Sequence, residues 1–267
     1  MNIKVLVGNK LIKNRFVNKI VKQFLFYTLM QKKQEILLKS EFISFYGLCC
    51  ELIHESKAQL FQDVWVLWRS NKYENSEFFV EVGACDPIRL SNTFLLEKKA
   101  GFNGILIEPN PKLAQELRKK RTAQVCEVAI SNSELPMELA LSAEPEFSRI
   151  SSSNRIIHNL FTPTGEVVQV QSSTLTEILQ SNNVPENFTF LSIDIEGMEL
   201  EALQSLDFSL YKPQMIAVEH NFREDRKKIK KLLSLHGYVL DPVLPDGIWD
   251  DWYIQSNLLE SSQTINE

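Results

Sequence analysis

The sequence predicts an α/β protein: a mostly parallel sheet with helices on both faces, preceded by a helical extension. Three observations predict it. Short apolar runs recur at residues 78–82, 105–107, 124–130, 190–194 and 215–219. Amphipathic helical patterns lie between most of them, at 92–99, 111–121, 198–206 and 223–236. Buried strands alternating with such helices make a parallel sheet covered on both sides. The composition agrees. A chain of 267 residues, 44% hydrophobic and 24% charged, reads as a soluble globular protein and excludes collagen, a disordered tail and a multi-span membrane protein.

Residues 1–75 read as helical. Ile12, Phe16, Ile20, Phe24 and Tyr27 recur at three- and four-residue steps on one helix face, with Lys13, Lys19 and Lys22 off it. Such a segment either rests on a membrane surface or packs on its own domain or a partner, and packing is the weightier reading. A second helix is expected over 56–70, with Leu60, Val64, Leu67 and Trp68 on one side, then a polar linker over 71–77. Late strands at 238–240 and 249–254 are expected to close the sheet. Residues 131–175 break the rhythm with Pro136, Pro145, Pro163 and a serine-rich run at 151–154. Alternating pieces at 137–141 and 167–171 suggest extra strands or a hairpin, placed over the ligand crevice. The chain thus divides into an extension of 1–55, a domain of 56–260 and a polar tail of 261–267.

The formal net charge is −5, but residues 1–40 hold nine Lys or Arg against Glu35 alone, a net +8. The acidic remainder excludes broad nucleic-acid binding, which needs a basic face. The basic head suits an anionic membrane surface. The apolar stretch 24–30 is too short to span a bilayer and lacks a cleavage site. Cys49 and Cys50 are neighbours, Cys85 and Cys126 stand alone, and no CxxC or zinc spacing occurs. Reduced thiols in a cytoplasmic protein are expected, peripheral to the inner face of a membrane if residues 1–40 make that contact.

In an open parallel sheet, ligands bind at the carboxyl ends of the strands. Those ends carry Glu81, Gly83, Ala84 and Asp86, then Glu108, then Asp194, Glu196 and Gly197, then Glu219, His220 and Asn221. Gly83 lets a ligand approach the backbone. A carboxylate at Glu108 can accept hydrogen bonds from both hydroxyls of a ribose. Together they suggest a nucleoside cofactor. The turn at 83–87 has one glycine where a dinucleotide fingerprint wants three, so a pyrophosphate is poorly received. S-adenosylmethionine fits better, with Glu81 or Asp86 facing its cationic amino-acid end. Trp249 and Trp252, with Asp250 and Asp251, suit either a sugar or the core.

These residues resemble the FkbM family of S-adenosylmethionine-dependent methyltransferases. The resemblance is carried by Phe79-Val80-Glu81-Val82-Gly83-Ala84, by Leu90-Ser91-Asn92-Thr93 with Leu95-Leu96-Glu97-Lys98, and by the segment from Gly101 to Asn110 that ends Glu108-Pro109-Asn110. Its most telling piece is Ser192-Ile193-Asp194-Ile195-Glu196-Gly197-Met198-Glu199, followed by Glu219-His220-Asn221. It covers about residues 57–255, including Gln62-Asp63. Cys85 and Pro87 depart from the commoner Gly-Ala-Asn-x-Gly turn. The resemblance implies a class I methyltransferase fold with a seventh strand antiparallel to the rest. It also implies O-methylation of a hydroxyl, with sugar and polyketide hydroxyls as the associated acceptors; a hydroxyl of a sugar, glycan or glycolipid precursor is the leading expectation.

The expected cofactor set is Glu81, Gly83, Ala84, Asp86, Asn92, Glu108, Asn110, Ile130 and Asp194. The expected catalytic set is Asp194, Glu196 and His220. An alcohol gains from a general base as the new bond forms. His220 is the best neutral-pH base by chemical type, and the two carboxylates are alternatives. A metal-free site is expected, although oxygens of Asp194, Glu196 and Glu219 would suit a divalent cation. Two rivals stand beside this reading: an NAD-dependent oxidoreductase, and a non-catalytic nucleoside-binding regulator.

Overall fold

The structure, a computed structural model, describes residues 40–70, 77–132, 135–144, 148–150, 163–195, 197–243 and 248–259. The expected amphipathic face of residues 12–27, most of the linker, the serine-rich run, Glu196 and the tail lie outside the described residues.

Two helices come first, α1 (Ser40–Glu51) and α2 (Gln62–Ser70). Then follow β1 (Phe78–Val82), α3 (Phe94–Ala100), β2 (Asn103–Ile107), α4 (Pro111–Lys120) and β3 (Gln124–Cys126). Five short strands come next: β4 (Ala129–Ile130), β5 (Met137–Ser142), β6 (Arg149–Ile150), β7 (Pro163–Val170) and β8 (Ser172–Ser173). The chain closes with α5 (Leu175–Ser181), β9 (Phe190–Ile193), α6 (Glu199–Gln204), β10 (Met215–Glu219), α7 (Asp225–Leu235), β11 (Tyr238–Leu240) and β12 (Asp250–Gln255).

The main sheet has seven strands in the order β11-β12-β10-β9-β1-β2-β3. The pairs β1–β2, β2–β3, β1–β9 and β9–β10 are parallel, and β12 runs antiparallel to both β10 and β11. This is the expected α/β sheet with one antiparallel strand, the class I methyltransferase topology. Strand order reverses between β9 and β1, and the crevice of such a sheet opens at that switch point.

Successive side chains on a strand point to opposite faces, so each strand feeds two cores. Phe79, Leu106, Phe190, Ala217 and Trp252 enter the core that also holds residues of α1, α2 and α3. Trp65 of α2 stacks on Trp252 at 5.0 Å and meets Phe190 edge-on at 6.1 Å, two of the favoured aromatic geometries. Val80, Ile105, Leu191, Ile193 and Val218 face the other way, against Leu179, Leu203, Ile229 and Leu233 of α5, α6 and α7. Burying one such aliphatic side chain contributes about 1.5–3 kcal/mol. Gly104 keeps β2 close to β1, because a Cβ there would lie 2.4 Å from the Phe79 ring.

Three local expectations change. The run 124–130 is not one strand: β3 stays in the main sheet, while β4 leaves it to pair with β8. The helix expected from 56 begins only at Gln62. Phe61 is left-handed at φ 67, and the preceding turn winds around Asp63, whose carboxylate accepts from Ser56 Oγ, Lys57 N and Val64 N. Helix α5 was not expected. It is announced by Thr174 and Glu177, which form a reciprocal capping box. The insertion builds a three-stranded antiparallel sheet in the order β6-β5-β7.

Candidate active site

The carboxyl ends of β1, β2 and β9 open into one cavity, lined among others by Gly83, Glu108, Ile130 and Asp194. Leu139 and Ile150 of the insertion line it too, so the insertion sits over the crevice as expected. Gly83 is left-handed at φ +83, and a Cβ there would lie 1.9 Å from the Asp194 carbonyl oxygen. Only glycine lets the ends of β1 and β9 meet in this way. The Asp194 amide donates to Val82 O at 3.0 Å, and the Gly83 amide donates to Ile107 O at 2.9 Å. The three strand ends are therefore stitched together by backbone.

Glu108 leaves β2 into this floor. Its Oε2 accepts from Cys85 N at 2.9 Å and its Oε1 from Asn110 N at 2.8 Å. It is only 6% exposed. Burial pushes its carboxyl up to about 7, against those two hydrogen bonds. A carboxylate oxygen accepts about two hydrogen bonds, so each oxygen keeps acceptor capacity toward the cavity. Ile107, Val128 and Ile130 form an apolar wall beside it.

Glu81, Ala84, Asp86, Asn92 and Asn110, the rest of the expected cofactor set, are not among the residues that line this cavity. Ala84 is buried, and its amide donates to Ile107 O. Asp86 Oδ1 accepts from Ile88 N and Arg89 N. Asn110 caps α4, its side chain accepting from Lys112 N. Glu81 is not among the residues that line the cavity. Its carboxylate accepts from Ser91 Oγ, Asn92 N and Thr93 Oγ1 and stands 3.8 Å from the Arg121 guanidinium. Burial pushes that carboxyl up against the pull of Arg121. The Glu81 carboxylate, expected with Asp86 as an alternative partner for the cofactor amine, is taken up by these groups. Its β1 position directs it to the face of Phe79, opposite Val82. Asn92 Nδ2 donates to Ser192 Oγ at 2.9 Å, while its buried Oδ1 has no hydrogen-bond partner among the described residues.

His220 is likewise turned away from the cavity. Its Nδ1 accepts the Phe222 amide at 3.0 Å, and its Nε2 stands 3.5 Å from Asp251 Oδ1, at the limit of a hydrogen bond. Asp251 also holds Arg226 through both carboxylate oxygens. Burial works against the Asp251 carboxylate, but the adjacent His220 and the hydrogen bonds from Arg226 hold its pKa well below the usual range. In this arrangement neither imidazole nitrogen is presented to the crevice. Of the expected catalytic residues, Asp194 lines the cavity, His220 does not, and Glu196 lies outside the described residues. Glu219 and Asp250 are buried cross-strand partners beside Asp194, with Asn221 Nδ2 on Glu219 and Gln62 Nε2 on Asp250.

Residues 81–240 match the family described as Methyltransferase FkbM domain. The chain belongs to that family. The cofactor that goes with membership is S-adenosylmethionine. The FkbM domain is also similar in structure to a precorrin-6Y C5,15-methyltransferase from Geobacter metallireducens, at 11% identity and a TM-score of 0.36, over 72% of this chain and 85% of that one. A second solved structure, an O-methyltransferase from Bacillus cereus in complex with SAH, is 12% identical at a TM-score of 0.39, over 94% of this chain and 95% of that one. No curated protein matches the chain.

Sequence reasoning missed two parts of this FkbM site. Val128, Leu139 and Ile150 line the cavity, but apolar residues in short strands carry no chemical signature. Arg121 is wholly buried behind the Gly83–Thr93 loop, yet it ends the run Arg118-Lys119-Lys120-Arg121, which reads as a solvated helix end.

Proposed function

We propose that this FkbM domain transfers the methyl group of S-adenosylmethionine to a hydroxyl oxygen of a saccharide, in a glycan or glycolipid precursor. Glu108 carries the reading: a buried carboxylate at the end of the second strand, with acceptor capacity left on both oxygens. That acceptor fits the cofactor. Glu108 would hold the two ribose hydroxyls, and Ile107, Val128 and Ile130 would flank the adenine. When bound, the cofactor supplies an electrophilic methyl on a sulfonium. The protein's work is then alignment of the acceptor oxygen with that methyl and removal of the hydroxyl proton. Asp194 is the proposed base, because it lines the cavity where His220 does not.

Calorimetry with S-adenosylmethionine and with NAD, on wild type and Glu108→Ala, tests this. Two charge-assisted hydrogen bonds are worth about 1.5–3 kcal/mol each, so the variant should lose affinity on the order of 100-fold or more. A folded wild type that binds NAD and not S-adenosylmethionine would replace this reading with the oxidoreductase. In a screen of sugar acceptors, Asp194→Asn should lower kcat about 100-fold or more with cofactor still bound. Cofactor binding without turnover of any acceptor would favour the regulatory role instead.

A further inference from the structure

We propose that Arg121, set between the buried carboxylates of Glu97 and Glu81, is a positioning residue that holds the Gly83–Thr93 loop in its cofactor-binding shape. The inference rests on the cofactor reading above and deepens it. Two observations meet here: a strained loop and a clamp outside the cavity.

The loop supplies Gly83 and Cys85 to the cavity and the amide that meets Glu108. Two of its non-glycine residues are left-handed, Cys85 at φ 48 and Leu90 at φ 64. L-residues rarely adopt that conformation, and it persists only where the surroundings over-determine it. Asp86 ties the loop to itself through two amides. Between Pro87 and Thr93, three more contacts run to one guanidinium.

Arg121 follows the last turn of α4, and its side chain is wholly buried. Its Nη1 donates to Pro87 O at 3.2 Å and to Ser91 Oγ at 3.1 Å, and its Nη2 donates to Thr93 Oγ1 at 2.9 Å. Its Nε donates to Glu97 Oε2 at 2.7 Å. Ser91 and Thr93 in turn donate to Glu81, which also accepts the Asn92 amide. The planar fork therefore grips both ends of the 87–93 segment from α4, with β1 on the far side through Glu81. Lysine has one rotatable ammonium and no fork, so it cannot reproduce this set. No atom of Arg121 lines the cavity. Its effect on the cofactor must pass through the loop.

The test measures S-adenosylhomocysteine affinity by calorimetry and amide hydrogen exchange of residues 84–93, in wild type, Arg121→Lys and the pair Glu81→Gln with Arg121→Met. The paired variant removes the Glu81 charge that a single change would leave buried and unpaired, while Glu97 keeps its ion pair with Lys98, so it guards against simple unfolding. Both variants should weaken binding about tenfold or more, since preorganisation is lost. Loop protection should fall while the β1 and β9 amides stay protected. A merely structural role would lower the melting temperature and leave affinity and loop exchange, measured well below it, at wild-type values. That outcome overturns the proposal. If wild type binds no S-adenosylhomocysteine, the cofactor reading fails, and exchange in the ligand-free protein alone decides whether Arg121 holds the loop.

Discussion

At the scale of single residues, carboxylates of one chemical type are sorted into separate duties by where each side chain points. Glu108 and Glu81 end neighbouring strands and both are buried. Glu108 meets backbone amides at the cavity floor, whereas Glu81 meets Arg121, Ser91 and Thr93 on the far face. Glu108 also makes a pH prediction. Its carboxyl is pushed from the ordinary 4.5 to about 7 by burial. Between those values the folded chain holds a proton that the unfolded chain releases. Its contribution to stability is therefore full below about 4.5 and lost as pH rises through about 7. Ribose binding runs the other way, because the ionised form accepts both hydroxyls. Urea melts across this window should show wild-type stability falling relative to Glu108→Gln, while calorimetry shows wild-type cofactor affinity rising. Parallel pH curves for the two proteins would remove Glu108 from both roles.

At the scale of elements, the seven-residue helix α5 leans on its cap, because helix nucleation is costly and seven residues cannot stand alone in water. Helix α5 begins with Thr174 Oγ1 accepting the Glu177 amide, while Glu177 reaches back to the Thr174 amide. Ser205 and Thr176 bind it to the end of α6. Thr174→Ala should cost about 1 kcal/mol in a denaturant melt, and Thr174→Ser much less. Equal losses for the two would mean that packing, not the hydroxyl, starts this helix. Helix α2 is held differently. Arg69 grips Asp241 through Nε and Nη2, each at 2.7 Å, and Trp65 Nε1 donates to the same carboxylate. The segment preceding the strands is thereby fastened to the end of β11.

At the scale of the whole molecule, no helix among the described residues is long and apolar enough to cross a membrane. Peripheral contact through residues 1–40 is a proposal from their net +8 charge. The full-length chain should co-sediment with vesicles of mixed phosphatidylcholine and phosphatidylglycerol, far less with phosphatidylcholine alone, and release as salt is raised. Binding that ignores both lipid charge and salt would leave packing on the domain or a partner as the role of this segment.

Apart from helix α5 and the split of the 124–130 run, the order of the main-sheet strands and their helices was legible in the sequence, because strands buried on both faces write themselves as apolar runs and helices as a repeat of three and four. The strand-end position of Glu108 and Asp194 beside a glycine was legible for the same reason, since the ends of apolar runs are visible in one dimension. The sequence also announced an insertion over the crevice, through broken rhythm and prolines. It determined neither the direction of the Glu81 and His220 side chains nor the partner of Arg121. Those depend on which residues from distant segments arrive beside them: Thr93 and Ser91 around Arg121, Asp251 and Arg226 around His220. Hydrogen bonds between such segments follow from tertiary packing, and a buried charge takes the partner that packing brings to it.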